Sequence, residues 1–339
     1  MDTIARRRAK QHIMSWGSGH VRPDRVPAGQ AATVVLANRA HLDDAVSSGV
    51  IGDSTVAFAP RTSDGPVVGY DGALDEPGTE LALGHDFYLQ TQDYASSAYM
   101  TVLGPTIVRL FTNEDFAACL RDADRALEEG AFPEFLITPS VLLADTSGLG
   151  GGPAGDGPLT RLYADRAGNW STSPRGAVLG TIGDSLDTLI ARYEEINAAS
   201  PAPCAVALAA VISDPDRSAA LRERPYLGRY LAAVRALRSV IARGAHEPKV
   251  SGFGVRLVPG LVLEGPDVTD AEAPLVMFTE EEAYVSAAGR LFSVSRDVAG
   301  AVECLLAGAA DPDSAERLSQ VRDYFTQQGV PLPEPVVVA

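Results

Sequence analysis

Lysine is almost missing from this chain of 339 residues, with Lys10 and Lys249 the two present. Neither lies in the kind of apolar segment that lowers a lysine pKa for Schiff-base chemistry. Cysteine is nearly as scarce. Cys119, Cys204 and Cys304 stand far apart in apolar surroundings, an odd, sparse set that fits buried thiols in a reducing cytoplasm and not a disulfide framework. Positive charge is short overall, with a net charge of −16 and a pI near 4.7. That balance argues against nonspecific nucleic-acid binding, which rests on a basic surface, and favours cationic or neutral partners. Apolar runs are short as well. None approaches the roughly 18 residues of a membrane span, so no membrane association is expected.

The catalytic signatures are missing too. His-Glu-x-x-His, Cys-x-x-Cys, the phosphate-binding G-x-x-x-x-G-K-[ST] and the Gly-x-Ser-x-Gly elbow do not occur. Of the five histidines, His85 makes the most suggestive pair, with Asp86, since a carboxylate can orient an imidazole. Residues 162–196 hold no cysteine and so no thiolate for an iron–sulfur cluster. The expectation is a chain without catalytic residues, metal or cofactor. The alternative is an enzyme whose site lies around His85, Asp86 and Tyr88.

What is present is a 46% apolar composition, enough for a real core, in a length that implies two domains. Residues 1–30 read as a partly irregular arm anchored by Ile13, Met14 and Trp16. Its basic run Arg6-Arg7-Arg8-Ala9-Lys10 has no apolar stretch behind it, so it is a solvated face and not a secretory signal. Residues 31–250 read as an α/β or α+β body. Strands are expected at 33–37, 55–59, 99–103, 106–111, 135–138, 141–144 and 161–164. A helix from Thr112-Asn113 to Gly130 carries Phe116, Cys119, Leu120, Ala123 and Leu127 on one face. A second, capped by Asp184, carries Leu186, Leu189, Ile190, Tyr193 and Ile196. Residues 204–212 suit a buried strand or a buried helix. A long helix follows with Leu227, Tyr230, Leu231, Val234, Leu237 and Ile241 on its apolar stripe, its arginines covering the solvent face. Residues 148–158 form a glycine-rich loop containing G-x-G-x-x-G at Gly150, Gly152 and Gly155. A strand follows where a dinucleotide fingerprint needs a helix, so the run reads as a mobile loop or linker.

Residues 244–252 read as a hinge, 253–258 and 261–263 as strands. The next stretch runs from Pro274 to Gly329. Three apolar runs, Leu275–Phe278, Ala283–Ala287 and Leu291–Val294, are separated by Glu280–Glu282 and by Ala288-Gly289-Arg290, the pattern of successive hairpins. The period then becomes helical at Val298, Ala301, Val302 and Leu305. A last helix follows Asp313 with Leu318, Val321 and Phe325 on one stripe, stopped by Gly329 and Pro331. Residues 331–339, with three prolines, read as a disordered or extended tail.

This order of elements, and RLFSVSRDVAGAVECLLAG within it, resembles the PqqD-like leader-peptide recognition domains of pathways that modify ribosomally made peptides. FPEFLITPSVLLADTSGLGGGP and WSTSPRGAVLG extend the resemblance to the recognition proteins of daptide-type pathways. The resemblance implies a winged-helix-like domain at 251–330 that adds a leader peptide to its outer strand. It places Arg290, Leu291, Phe292, Ser293, Val294 and Ser295 on the edge, and Leu318, Val321, Arg322 and Phe325 on the flanking helix. Family members place three helices after the strands, and the stretch from Gly308 to Asp313 is too short for the middle one. The implied partners are a precursor leader and its modifying enzymes: an oxidoreductase, an aminotransferase and a methyltransferase. A DNA-binding regulator is the third reading; it needs a basic recognition helix, and the last helix sets Asp313, Glu316 and Asp323 against Arg317 and Arg322.

Overall fold

The computed structural model describes residues 3–19, 29–61, 67–151, 156–262, 266–308 and 315–334. The chain divides into two compact units. Residues 1–119 and 140–223 form the first, and residues 120–139 and 224–339 the second. The division cuts one helix in its middle, and the boundary expected after residue 250 lies inside the second unit.

The first unit opens with α1 (Thr3–Ser18). It then supplies β1 (Thr33–Leu36), α2 (Leu42–Ser47), β2 (Val56–Pro60), β3 (Val68–Gly72), β4 (Glu80–Ala82), β5 (Tyr88–Asp93), α3 (Tyr94–Ser97) and β6 (Thr106–Arg109). Helix α4 (Asn113–Glu129) straddles the division. Strands β7 (Val141–Leu143), β8 (Arg161–Ala164), β9 (Asn169–Ser171) and β10 (Gly180–Thr181) complete the sheet, α6 (Leu186–Ala199) and α7 (Asp214–Glu223) follow, and α5 (Glu134–Ile137), between α4 and β7 in the chain, belongs to the second unit. The ten strands lie in the order β10-β9-β8-β1-β2-β3-β4-β5-β6-β7. Pairing is parallel at β8-β1-β2-β3 and β5-β6-β7, and antiparallel elsewhere. The body is therefore α/β with a mixed sheet.

Alternation along the strands sends side chains to two cores. Val35, Phe58, Tyr70 and Ile107 meet Ala9, Ile13 and Trp16 of α1. Val34, Leu36, Ala57 and Leu162 meet Ala45 of α2 and Leu186 and Leu189 of α6. Within the arm expected to be partly irregular, residues 3–18 are thus a helix, because Ile13 and Trp16 are fully buried against the sheet.

Other local expectations give way to side-chain competition. Ser185, not Asp184, caps α6, accepting from Thr188 N at 3.3 Å; Asp184 closes the preceding turn through Thr181 N at 2.6 Å. Residues 99–103 are no strand, with Tyr99 92% and Leu103 84% exposed. Residues 135–138 sit in or just after the short helix α5, started by Pro133. Residues 204–212 are turns, neither strand nor helix. Their backbone is satisfied by neighbours: Ala177 N donates to Val206 O and Ala210 N to Arg175 O. Just ahead of them Arg217 takes the carbonyls of Ala202 and Pro203.

In the second unit, α8 (Leu227–Ile241) precedes β11 (Lys249–Val250), β12 (Leu275–Phe278), β13 (Ala283–Ala287) and β14 (Arg290–Val294), then α9 (Arg296–Ala307) and α10 (Ala315–Gln327). The four strands form an antiparallel sheet in sequence order. Val276, Phe278, Val285 and Ala287 bury against Val302 and Leu305 of α9 and Leu318, Val321 and Phe325 of α10. Helix α8 packs against β12 and β14, and Met277 and Tyr284, on the opposite parity, are buried too. The sheet is therefore covered on both faces, and α8 and β11 belong with it. Strand β11 lies in the stretch read as a hinge.

Residues 253–258 are no strand either. Glu303 of α9 is buried, and its carboxylate accepts from Leu257 N at 2.8 Å and Val258 N at 2.6 Å. Those amides have no need of a ladder. Arg229 of α8 is 1% exposed and faces inward, contrary to the expected solvent role. It donates to the carbonyls of Asp270, Ala273 and Pro274, and burial pushes its pKa down to about 10.

Candidate functional site

Strand β14 ends the second sheet, and its pairing with β13 fixes which of its groups are free. The turn between them is two residues long, Ala288 at φ 48° and Gly289 at φ 70°. Two successive positive φ angles make a tight primed hairpin, closed by the hydrogen-bonded pair Ala287–Arg290. Alternation along an antiparallel ladder then makes Val285–Phe292 and Ala283–Val294 the bonded pairs. Leu291 and Ser293 therefore turn their N–H and C=O groups outward. Among the described residues, no backbone bond outside the ladder reaches residues 290–294. The outer edge of β14 presents a donor–acceptor pair at each of two positions, about 7 Å apart along the strand.

The side chains along this edge are partly shielded. Phe292 and Val294 pack on the core below, and Phe292 meets Phe325 edge-on, ring centres 5.5 Å apart. Arg290 lies over the Phe292 ring at 5.1 Å and donates to Gln328 O at the end of α10. Arg322 of α10 stands 3.3 Å from Asp323 and 3.5 Å from Glu334.

The ten residues expected to bind peptide thus fall into distinct groups. Arg290, Leu291, Phe292, Ser293 and Val294 form the edge strand. Ser295 caps α9, its Oγ accepting from Val298 N at 3.2 Å. Leu318, Val321 and Phe325 are buried at 2%, 9% and 0% exposure, so they support the edge from within and offer no open wall. Of the four helix residues expected to bind peptide, Arg322 alone reaches the surface. The outward parity of Leu291 and Ser293 went unread, although the two-residue turn Ala288-Gly289 signals it. The expected cap Asp313 lies outside the described residues, as do residues 309–314 as a whole.

Two concavities of the second unit lie away from this edge. One of about 730 Å³ is lined by His246, Lys249, Arg296 and the glutamates 280–282. Another of about 340 Å³ is lined by Val258, Asp297, Gly300, Cys304 and Arg317. Burial pushes the Cys304 thiol pKa up, which makes it a weaker nucleophile.

In the first unit, the pair proposed for catalysis is spread over the surface. His85 and Asp86 are exposed, and Asp86 pairs with Lys10 at 3.2 Å and Arg6 at 3.4 Å. The hydrogen bond from Lys10 holds its carboxyl below the usual range. Tyr88 is 46% exposed and donates to His85 O at 3.4 Å. The basic run of the N-terminus thus includes partners for Asp86.

The concentrated electrostatics of this unit lie in its interior, where the sequence reading named no site. Arg161, at the start of β8, grips Asp156 with two bonds of 2.6 and 2.7 Å and donates to Trp16 O at 3.0 Å. Its Nη2 also lies 2.9 Å from Asp145 Oδ1, a charge contact outside hydrogen-bond angles. Asp145 accepts from Arg109, and Ser147 donates to Asp156 at 2.5 Å. Burial pushes the Arg161 guanidinium pKa down, but Asp156 and Asp145 outweigh it and raise the value. Arg109 goes the other way: burial lowers it, neighbouring Arg161 lowers it further, and Asp145 does not compensate. The flanks of the glycine-rich loop carry this cluster, so the run is no linker. Gly148 and Leu149 lie in a buried 3-10 turn, and Gly152 and Gly155 lie outside the described residues.

Among the described residues no set of three His, Cys, Asp or Glu side chains could hold a metal ion, and no helix is long and apolar enough to cross a membrane. Comparison with protein-family models, curated proteins and solved structures gave no match.

Proposed function

We propose that this chain is a noncatalytic recognition protein that captures the leader of a ribosomally made precursor peptide by strand addition at β14. The observation that carries the reading is the outer edge of β14, with the N–H and C=O groups of Leu291 and Ser293 turned outward. An added strand would take its affinity from those backbone groups, and its specificity from side chains lodged at alternate positions. On this reading, β12–β14 with α9 and α10 act as a winged-helix-like unit of the PqqD type, although α8 covers the face opposite to them. The bound precursor would be presented in the cytoplasm to the oxidoreductase, aminotransferase and methyltransferase of a daptide-type pathway. A DNA-binding role is disfavoured by α10, where Arg317 and Arg322 already face Asp297 and Glu334.

The test is titration of the full chain with the short precursor peptides encoded near its gene. Proline at Ser293 removes one outward donor without breaking a ladder bond. Binding is expected to be lost in Ser293→Pro and kept in Ser293→Ala. Equal binding by both variants, or no precursor bound at all, overturns the reading.

A further inference from the structure

The segment that leaves α10 has the pattern of a bound strand. Gly329, at φ 74°, turns the chain back, with Gly329 N bonded to Thr326 O at 2.9 Å and Val330 N to Phe325 O at 2.8 Å. The turn is held against the start of β14, because Arg290 donates to Gln328 O. From there burial alternates. Val330 and Leu332 are 2% and 7% exposed and join the core of Phe325, on which Phe292 and Val294 also pack. Pro331, Pro333 and Glu334 are exposed. Glu334 reaches back to Arg322, 3.5 Å away. A period of two is the signature of an extended strand with one buried side, and the return from Gln328 beside Arg290 to Glu334 beside Arg322 runs back along α10.

The two prolines give this strand an unusual backbone. Residues 331 and 333 share one edge of it, and neither has an N–H. That edge accepts and cannot donate. Val330 and Leu332 therefore fill side-chain positions in the core on which Phe292 and Val294 of β14 pack, and among the described residues no backbone bond joins the segment to β14.

We infer that Val330–Glu334 is a resident occupant of the peptide site and a template for its ligand. The ligand class is an extended peptide with apolar side chains at alternate positions and an acidic one two residues further on. Such a peptide with ordinary residues in place of the prolines gains the backbone bonds that the resident forgoes, and so displaces it. The inference rests on the reading of β14 as a peptide-binding edge.

The probe is a labelled synthetic peptide of residues 327–334 with Pro331→Thr and Pro333→Thr. It is titrated into the full chain, a full-length Glu334→Arg variant and a chain ending at Gly329. Binding is expected at least tenfold tighter to the shortened chain than to the intact one, with Glu334→Arg in between. A probe carrying Leu332→Asp is expected not to bind. If the shortened chain fails to fold, as judged by near-ultraviolet circular dichroism, the comparison of Glu334→Arg with the intact chain decides alone. Equal affinity for every folded chain overturns the resident-occupant inference. Failure of the probe to bind any folded chain, while a precursor peptide binds and is lost in Ser293→Pro, overturns the template and leaves the edge reading standing. If the precursor also fails, the edge reading itself falls.

Discussion

Two sets of arginines, one inside the first unit and one around β14 and α10, have opposite assignments. In the first unit Arg109, Arg161 and Arg217 are at or below 1% exposure, and carboxylates and carbonyls hold them at hydrogen-bond distance. Around β14 and α10, Arg290, Arg317 and Arg322 lie at or near the surface, with carboxylates 3.3 to 3.6 Å away where they have them. A buried guanidinium without its partner is costly, whereas an exposed pair contributes about 0–1 kcal/mol. The interior set therefore decides whether the first unit stands, and the surface set is free to exchange partners. A binding edge needs charges of the second kind.

The strongest way to break this contrast is to remove a partner inside. Asp156→Ala takes from Arg161 the carboxylate it grips with two hydrogen bonds, and a loss of about 3–5 kcal/mol is expected in chemical denaturation. A loss under about 1 kcal/mol would mean that the cluster is better hydrated than its burial indicates. Next comes Glu303→Ala, which leaves the amides of Leu257 and Val258 and the hydroxyl of Ser251 without their acceptor. A loss of about 2–3 kcal/mol is expected, since each orphaned buried group costs about 1–3 kcal/mol and the loop relaxes. The same measurement on Ser293→Pro should show a change of no more than about 1 kcal/mol, because an edge position with its N–H outward tolerates proline.

Acid sharpens the contrast with the smallest effect. Burial pushes the Asp124 carboxyl up, but hydrogen bonds from Arg224 and Tyr226 outweigh it and hold its pKa below the usual range. Asp214 behaves likewise, held down by Arg217 and Ser200. A carboxylate with a lowered folded pKa adds stability that is fully present above its unfolded pKa, near 4, and is lost as pH falls through the folded value. Denaturation midpoints between pH 5 and pH 2 should fall in the native chain. The fall should be shallower in Asp124→Asn, because that variant no longer protonates the group.

Much of the second unit was legible in the sequence. The runs 275–278, 283–287 and 291–294 became strands because short apolar segments broken by tight turns have few other solutions. Val298, Val302 and Leu305 set the face of α9 in the same way. The edge strand itself was legible. The wall was not. Leu318, Val321 and Phe325 share one stripe, and a stripe marks a face without saying whether a core or a ligand covers it.

The misses share one cause. Residues 253–258 look like a strand until Glu303, some 45 positions on, takes their amides. Residues 204–212 look like a strand or a helix until Arg217 and residues 175–177 take the neighbouring backbone groups. Arg229 looks like a surface residue until three carbonyls from 270–274 enclose it.

By itself the sequence determined the local periods, the turns and the absence of the common catalytic motifs, because each follows from a few adjacent residues. Tertiary structure alone decided which charges went inside, which apolar stripe met which sheet, and which strand edge stayed open. Those outcomes depend on partners distant in the chain, and a buried polar group is stable only where the whole fold brings it an acceptor or a counter-charge.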